Sequence, residues 1–274
     1  MNEETVRTKH GEIALQTAGD SGPTLLFVHG NSASKKVWRK QFESELTAKN
    51  RLIAIDLPGH GGSSDAPDPE ASYCMAGYAD AVIAVLATLQ IGRVVIVGWS
   101  LGGHVAIEMV PHFSGLAGMV LTGTPPIHRA SMDDINAGFY MNETTALAGQ
   151  EVWNAEEAGK FSGTALQPDT PAPDWVVKAA LRTDGRARTM MFGAFVAGQG
   201  GDQAEILANT NVPTAVINGA DEPFINNDFI VAAPYGNLWR GQVQLLDGLG
   251  HAPFWQAPDA YNGLLQSFVD DMPA

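Results

Sequence analysis

A serine stands in the glycine-rich segment Gly98-Trp99-Ser100-Leu101-Gly102-Gly103, between a predicted strand at 93–97 and a predicted helix at 101–110. A serine at a sharp turn from strand to helix needs small neighbours, because a Cβ on either flank would clash with the crowded backbone. Such a turn lifts the hydroxyl above the sheet edge and directs the first N–H groups of the helix beside it. Ser100 is therefore a candidate nucleophile, although the pattern alone fits a plain glycine-rich connection equally well.

A serine hydroxyl becomes an effective nucleophile when a neighbouring imidazole accepts its proton and a carboxylate orients that imidazole. His251 lies in the glycine-rich segment Gly248-Leu249-Gly250-His251-Ala252-Pro253-Phe254, between the last predicted strand and the last predicted helix. An imidazole in such a loop can reach over the sheet edge, so His251 is the candidate base. The histidines without a comparable placement are predicted to be structural or surface residues: His10, His60, His104, His112 and His128.

Two adjacent carboxylates, Asp221 and Glu222, follow the strand predicted at 213–218. The expected chain order for this kind of site is serine, acid, histidine, and this segment falls between the other two residues. Adjacent side chains in an extended or turn segment point in different directions, so only one of them can face His251. Position alone does not decide between the two.

Acyl transfer also requires hydrogen-bond donors for the oxyanion. One donor is expected to be the backbone N–H of Leu101, directly after the nucleophile. The other is expected from Asn31 in the loop His29-Gly30-Asn31-Ser32, which follows a strand predicted at 25–28. Gly30 allows close approach of the backbone, and His29 is predicted to be a buried residue that braces the loop.

Strands that alternate with helices predict a mostly parallel sheet with helices on both faces, an α/β fold. An antiparallel pair at 12–17 and 24–28 is predicted to open the sheet. The stretch from 127 to 208 shows helical segments without a clear buried strand, and strands at 213–218 and 242–246 and a helix at 258–269 follow it. We therefore predict a core domain, residues 1–126 and 209–274, interrupted by a helical cap, residues 127–208.

Composition excludes several classes of protein. The 274 residues are 45% hydrophobic and 17% charged, as expected of a globular chain, and a net charge of −14 disfavours nucleic acid and anionic membranes as partners. The single cysteine, Cys74, permits no intrachain disulfide and no cysteine-based zinc site. The charged N-terminus does not read as a signal peptide, so a cytoplasmic location is expected. No metal or cofactor is expected, and a monomer is compatible with the sequence, which leaves the oligomeric state open.

Four segments taken together resemble the α/β-hydrolase fold superfamily, in order and at the usual spacing. They are His29-Gly30-Asn31, Asp56-Leu57-Pro58-Gly59-His60-Gly61-Gly62-Ser63, the serine turn, and Gly250-His251-Ala252-Pro253-Phe254. The resemblance covers the whole chain and implies an eight-stranded, mostly parallel sheet flanked by helices. A serine at the turn, rather than an aspartate, argues against haloalkane dehalogenases and epoxide hydrolases.

Further segments are similar to the metal-independent N-acyl-homoserine lactone lactonases of this fold. They are the serine turn with His104, Thr122-Gly123-Thr124-Pro125-Pro126, Asn218-Gly219-Ala220-Asp221-Glu222-Pro223-Phe224, Ala146-Leu147-Ala148-Gly149-Gln150-Glu151, and Arg182-Thr183-Asp184-Gly185-Arg186-Ala187-Arg188. The resemblance implies that Glu222 is the acid of a Ser-His-Glu triad and that Asn31 acts at the substrate carbonyl. A cap tyrosine that contacts ligand in such enzymes corresponds to Phe161, which has no hydroxyl.

The resemblance implies a hydrolase that opens the lactone ring of N-acyl-homoserine lactones, a small-molecule substrate. The acyl tail is expected in an apolar channel under the cap. The residues expected to contact substrate are Trp99, Trp153, Phe161, Met190 and Phe224, and further candidates for the channel wall are Trp175, Met191, Phe192 and Phe195.

Three alternatives are weighed against this function. The same triad serves carboxylesterases and cofactor-free perhydrolases, which differ only in the pocket. A metal-dependent lactonase is disfavoured, because the chain has no His-x-His-x-Asp-His run. A ligand-binding receptor of the same fold is the alternative from a different class, and steady-state turnover would distinguish it from an enzyme.

Overall fold

An eight-stranded sheet forms the centre of the computed structural model, which describes residues 1–168 and 170–272. The strands are β1 (Asn2–Thr8), β2 (Gly11–Ala18), β3 (Thr24–Val28), β4 (Arg51–Ile55), β5 (Val94–Trp99), β6 (Leu116–Thr122), β7 (Thr214–Gly219) and β8 (Gln244–Leu246). Their order in the sheet is β1-β2-β4-β3-β5-β6-β7-β8. Strand β2 pairs antiparallel with β1 on one side and with β4 on the other, and the remaining neighbours in the sheet pair in parallel. The predicted fold class is confirmed.

The edge of the sheet differs from the prediction. Strand β2 pairs with β1 and β4, whereas β3 pairs in parallel with β4 and β5, so the expected antiparallel pair of 12–17 with 24–28 is wrong. Strand β1 is not predictable from its residues, because only Val6 in that strand is buried and the apolar alternation that marks a strand is absent. Strand β5, in contrast, is buried at every position and needs helices on both sides.

Helices connect and flank the strands. The α-helices are α1 (Arg39–Phe42), α2 (Leu46–Lys49), α3 (Pro69–Ser72), α4 (Met75–Thr88), α5 (Leu101–Met109), α6 (Met132–Gly138), α7 (Glu143–Ala146), α8 (Ala155–Leu166), α9 (Asp174–Arg182), α10 (Gly185–Val196), α11 (Gln203–Asn209), α12 (Asn227–Ala232), α13 (Pro253–Gln256) and α14 (Pro258–Asp270). Short 3-10 helices occur at Lys35–Trp38, Leu147–Gly149 and Trp239–Gly241. The segment from 35 to 49 therefore consists of three short helical pieces.

Helices α6 to α11 lie between β6 and β7. Side chains from α8, α9 and α10 join the main hydrophobic core, and a smaller cluster of Leu147, Trp153, Ala158 and Ala180 lies within the inserted segment itself. The segment therefore packs on the sheet domain and also has a small core of its own. None of the helices among the described residues combines the length and apolar character that crossing a bilayer requires.

The candidate residues lie beyond the carboxyl ends of the parallel strands. Asn31 follows β3, Ser100 follows β5, Glu222 follows β7 and His251 follows β8. Because these ends meet along one edge of a parallel sheet, four segments far apart in sequence converge there.

Candidate active site

The backbone at Ser100 is strained. Its φ is 53° and its ψ is −116°, a backbone conformation that residues other than glycine rarely adopt. A Cβ at Gly98 would meet the carbonyl of Gly102, and a Cβ at Gly102 would meet the carbonyl of Val28. The turn is held by a hydrogen bond from the Ser100 N–H to the Thr122 carbonyl, at 2.8 Å. The glycines therefore make room for a serine presented at a sharp turn.

His251 and Glu222 form a buried hydrogen-bonded pair. The imidazole Nδ1 lies 2.7 Å from one carboxylate oxygen of Glu222 and 3.0 Å from the other. Asp221 is exposed, whereas the Glu222 side chain is almost wholly buried. Since a carboxylate only accepts, Nδ1 carries the proton and Nε2 is left free to accept one.

Ser100 and His251 line the same cavity, but no hydrogen bond joins their side chains in the part of the chain that the structure describes. The imidazole is held from three sides. The Trp99 indole N–H donates to the His251 carbonyl at 2.9 Å, and the Trp99 and Phe224 rings lie 5.5 and 5.1 Å from the imidazole centroid. These contacts and the Glu222 carboxylate fix the orientation of the ring.

Gly123 is a part of the site that sequence reasoning missed. Its φ is +64°, and a Cβ there would contact Cε1 of His251, lie 2.6 Å from Nδ1 and lie 3.2 Å from a Glu222 oxygen. Its N–H donates to Asn218 Oδ1 at 2.9 Å, which fixes this turn against β7. The available signal was the glycine in the segment Thr122-Gly123-Thr124-Pro125-Pro126.

Two backbone donors are available beside Ser100. Within residues 1–168 and 170–272, the N–H groups of Asn31 and Leu101 donate to no protein acceptor. The side-chain amide of Asn31 is engaged elsewhere, because its Nδ2 donates to the Ala148 carbonyl at 2.9 Å. An oxyanion that is bound between these two loops can therefore use backbone donors that are already unpaired.

His29 braces the loop that carries Asn31, as predicted. The ring is fully buried, its Nδ1 donates to the Gly30 carbonyl at 2.7 Å, and its Nε2 accepts from the Leu57 N–H at 3.0 Å. Burial lowers the pKa of the ring from its ordinary value of 6.5, so it stays neutral in both roles.

The cavity over Ser100 has a volume of about 120 Å³ and a mostly apolar lining. Of the predicted contact residues, Trp99, Phe161 and Phe224 line it. The inserted segment and neighbouring loops contribute most of the remaining wall. Lining residues not selected from the sequence are Met75, His104, Ile135, Phe139, Met141, Thr145, Ala148, Ala165 and Ile225.

Trp153 and Met190 are not placed on the cavity wall. Trp153 packs in the small cluster of the inserted segment, where its indole N–H donates to the Leu147 carbonyl at 3.0 Å and the Arg188 guanidinium lies 4.2 Å from its ring centroid. Met190 packs against the main core, while the next residue, Met191, lines the cavity. On a helix, adjacent residues point about 100° apart, and composition does not reveal which one faces inward.

His104 lines the cavity, although the sequence suggested only a structural or surface role. It lies four residues after Ser100 on α5, one helical turn away, and this spacing was the available signal. No group of three or more His, Cys, Asp or Glu side chains among the described residues could hold a metal ion.

Comparison with known proteins gives a consistent result. A sequence model of the alpha/beta hydrolase family matches residues 25–264. The chain is 41% identical to the N-acyl homoserine lactonase AidH, solved in complex with N-butanoyl homoserine, with a TM-score of 0.95 over 99% of this chain and 97% of the other. A serine-to-glycine mutant of AidH was solved with N-hexanoyl homoserine lactone, also at 41% identity.

More distant relatives carry other activities. Pimeloyl-[acyl-carrier protein] methyl ester esterase of Nitrosomonas europaea is 29% identical over 91% of this chain and 96% of its own length. An aryl esterase from Burkholderia cenocepacia, described as putative where it was solved, is 22% identical with a TM-score of 0.78 over 98% of both chains, a likeness of fold alone.

Proposed function

Since the chain belongs to the alpha/beta hydrolase family, we propose that it is a serine hydrolase that opens the lactone ring of N-acyl-homoserine lactones. The observation that carries this proposal is its likeness to AidH, at 41% identity and a TM-score of 0.95 over 99% of the chain. At this level the likeness extends through the inserted helices as well as the sheet, so it includes the segment from which much of the cavity wall comes.

The cavity supports a ligand of this class. An acyl-homoserine lactone is uncharged and has a polar ring, an amide and an alkyl tail, so it suits a mostly apolar wall with a few polar groups at one end. Residues 127–208 act as a cap, which contributes Phe161 from α8 and Met191 from α10 to this wall. Because position 161 is a phenylalanine, no hydroxyl contacts the substrate from there.

The reaction begins when Ser100 Oγ attacks the lactone carbonyl carbon and His251 Nε2 takes the hydroxyl proton. The backbone N–H groups of Asn31 and Leu101 stabilise the oxyanion, and Glu222 stabilises the imidazolium through Nδ1. The ring oxygen then leaves with the proton from His251, which opens the ring and leaves an acyl-enzyme. Water attacks this ester with His251 as base, and Ser100 leaves with the proton.

The homoserine hydroxyl stays attached to the acyl-enzyme and competes with water, because a tethered nucleophile has a high effective concentration. It must swing away before hydrolysis. Direct attack of a water activated by His251 avoids this competition and is the alternative route. Rapid quench and mass spectrometry distinguish the two, since only the first route gives an acyl group on Ser100; oxygen-18 entry into product without that species would contradict it.

The function is tested by incubating N-butanoyl- and N-hexanoyl-homoserine lactone with the protein and measuring product mass. The expected product is the lactone plus one water, formed far faster than in buffer and not formed by the Ser100→Ala variant. A protein that leaves both lactones intact would overturn the proposal.

A carboxylesterase is the second candidate, favoured by the likeness to the methyl ester esterase of Nitrosomonas europaea. Hydrolysis of p-nitrophenyl butanoate measured beside the lactones separates the two functions. Turnover of the ester with no turnover of either lactone would assign the protein to the carboxylesterases.

A further inference from the structure

One polar side chain stands in an otherwise apolar part of the cavity wall. His104 lies on α5 one turn beyond Ser100, and its ring packs between Phe139 and Phe195, with ring centroids 6.3 and 5.2 Å away. It takes no part in the reaction proposed above. A histidine buried among phenylalanines loses hydration, so each ring nitrogen without a polar partner lowers the stability of this wall.

The partner of Nδ1 is Gln203, and its orientation is set by a buried carboxylate. Glu108 accepts hydrogen bonds from the Gly201 N–H at 2.9 and 3.2 Å, and from Gln203 Nε2 at 3.2 Å. Because a carboxylate only accepts, the amide nitrogen of Gln203 must face Glu108. The amide oxygen then faces His104, where it lies 2.6 Å from Nδ1.

This arrangement fixes the tautomer of His104. An amide oxygen only accepts, so Nδ1 carries the hydrogen. Burial lowers the pKa of the ring to about 4, so the imidazole is neutral near pH 7 and Nε2 presents a lone pair. No described residue donates to Nε2, although the side chain lines the cavity. The wall therefore offers an acceptor without a protein donor.

The position of His104 along α5 relates this acceptor to one part of the acyl chain. His104 lies four residues after Ser100, an axial rise of about 6 Å on a helix. In an acyl-homoserine lactone, carbon 3 of the acyl chain is five bonds from the lactone carbonyl carbon, which is also about 6 Å when extended. A hydroxyl at carbon 3 can donate to Nε2, whereas a 3-oxo group brings a second acceptor against it.

We propose that His104 is a specificity-determining residue that accepts a hydrogen bond from the acyl chain, so that the cavity selects 3-hydroxyacyl over 3-oxoacyl chains. The proposal rests on the function proposed above. Glu108 and Gln203 are positioning residues, since they act only by fixing which hydrogen His104 carries.

The experiment compares kcat/KM for N-hexanoyl-, N-(3-hydroxyhexanoyl)- and N-(3-oxohexanoyl)-homoserine lactone. We expect the wild type to favour the 3-hydroxy over the 3-oxo substrate by about 5- to 30-fold, the value of one hydrogen bond at a buried site. In His104→Leu this ratio falls to about one, and each rate is compared with that of the unsubstituted substrate in the same variant. Replacement of the exposed His112 by glutamine is the control.

Glu108→Gln is the sharper variant, because it keeps the shape of the side chain. Its amide can donate to Gln203, which then turns and donates to Nδ1 of His104, so that Nε2 carries the hydrogen. We expect the 3-oxo substrate to gain relative to the unsubstituted one and the 3-hydroxy to 3-oxo ratio to fall to about one, because a hydroxyl can also accept from Nε2–H. Loss of packing would not favour the 3-oxo substrate. A ratio unchanged in both variants, or an equal loss for all three substrates, would overturn the proposal.

Calorimetry with the ring-opened N-(3-hydroxyhexanoyl)- and N-(3-oxohexanoyl)homoserines separates this inference from the proposed function, since these ligands bind without turnover. If the wild type opens no lactone but binds the 3-hydroxy ligand more tightly in a manner that depends on His104, the lactonase proposal fails and the inference stands. If the two ligands bind equally, the inference fails whatever the turnover.

Discussion

Replacement of Ser100 by glycine is expected to abolish activity and raise stability. The serine has φ 53° and ψ −116°, and its hydroxyl makes no hydrogen bond to any residue that the structure describes. Glycine adopts this backbone conformation without steric cost. Alanine does not, because it keeps the Cβ that causes the strain. The two variants therefore remove the same hydroxyl but differ in the strain that remains.

The size of the effect follows from two opposing contributions. A residue other than glycine in this region of φ and ψ costs about 1–3 kcal/mol. Glycine raises the entropy of the unfolded chain, which offsets about 0.5–1 kcal/mol of that gain. The net increase in the free energy of unfolding lies between about 0 and 2.5 kcal/mol, and its midpoint near 1 kcal/mol corresponds to roughly 2 °C in Tm for a chain of this size.

Thermal melts of wild type, Ser100→Gly and Ser100→Ala, followed by circular dichroism, measure this difference. We expect the glycine variant to melt highest and the alanine variant within about 1 °C of wild type, with kcat reduced by about 10⁴- to 10⁶-fold in both. A glycine variant that melts at or below the alanine variant would show that the turn stores no strain. Activity retained in both would favour direct attack by water.

Two further predictions concern the carboxylates and the buried imidazoles. Glu222→Gln is expected to lower kcat by about 10³- to 10⁴-fold, because the N–H at Nδ1 of His251 then has no carboxylate to accept its hydrogen bond. Asp221→Asn is the control and should change kcat less than about twofold. Equal losses in steady-state assays of the two variants would refute the pairing of Glu222 with His251. Burial lowers the pKa of His60 from 6.5 to about 3, so the unfolded state binds more protons in this range and the free energy of unfolding must fall as pH drops from 6.5 towards 3. Urea titrations at pH 7 and pH 5 should show a smaller fall in His60→Gln than in wild type, and the same fall in both would exclude His60 as the cause.

The fold was predictable where burial dictates the pattern. Strand β5 is buried throughout and reads as an unbroken apolar run, so the strand, the serine turn and α5 followed from the sequence. Strand β1 is mostly exposed and carries no such pattern, and its pairing with β2 depends on contacts across the sheet. The order of strands at this edge was therefore beyond local reasoning.

The sequence predicts which segments form the candidate site, but not which side chain of each segment faces it. The sequence placed Asp221 and Glu222 in the right loop, but the choice between them depends on which side chain is buried against His251, a property of the folded chain. The adjacent Met190 and Met191 pose the same problem on α10, where only Met191 lines the cavity. Both residues are methionines, so only the packing of the helix determines which of them faces the cavity.

The loop that carries Asn31 and Ser32 is joined to the inserted segment by polar contacts. Asn31 donates to the Ala148 carbonyl, and the buried Arg188 donates to the Ser32 hydroxyl at 3.3 Å as well as to the carbonyls of Gln150 and Glu151 at 2.7 and 2.6 Å. Lifting the segment from the loop would break the bonds made by Asn31 and Ser32, whereas Arg188 would keep the carbonyls of Gln150 and Glu151, which belong to the segment itself. Under the proposed function, the apolar wall that contacts the acyl chain and the donors beside Ser100 therefore belong to one packed unit, and substitutions at this contact should affect both substrate selection and oxyanion binding.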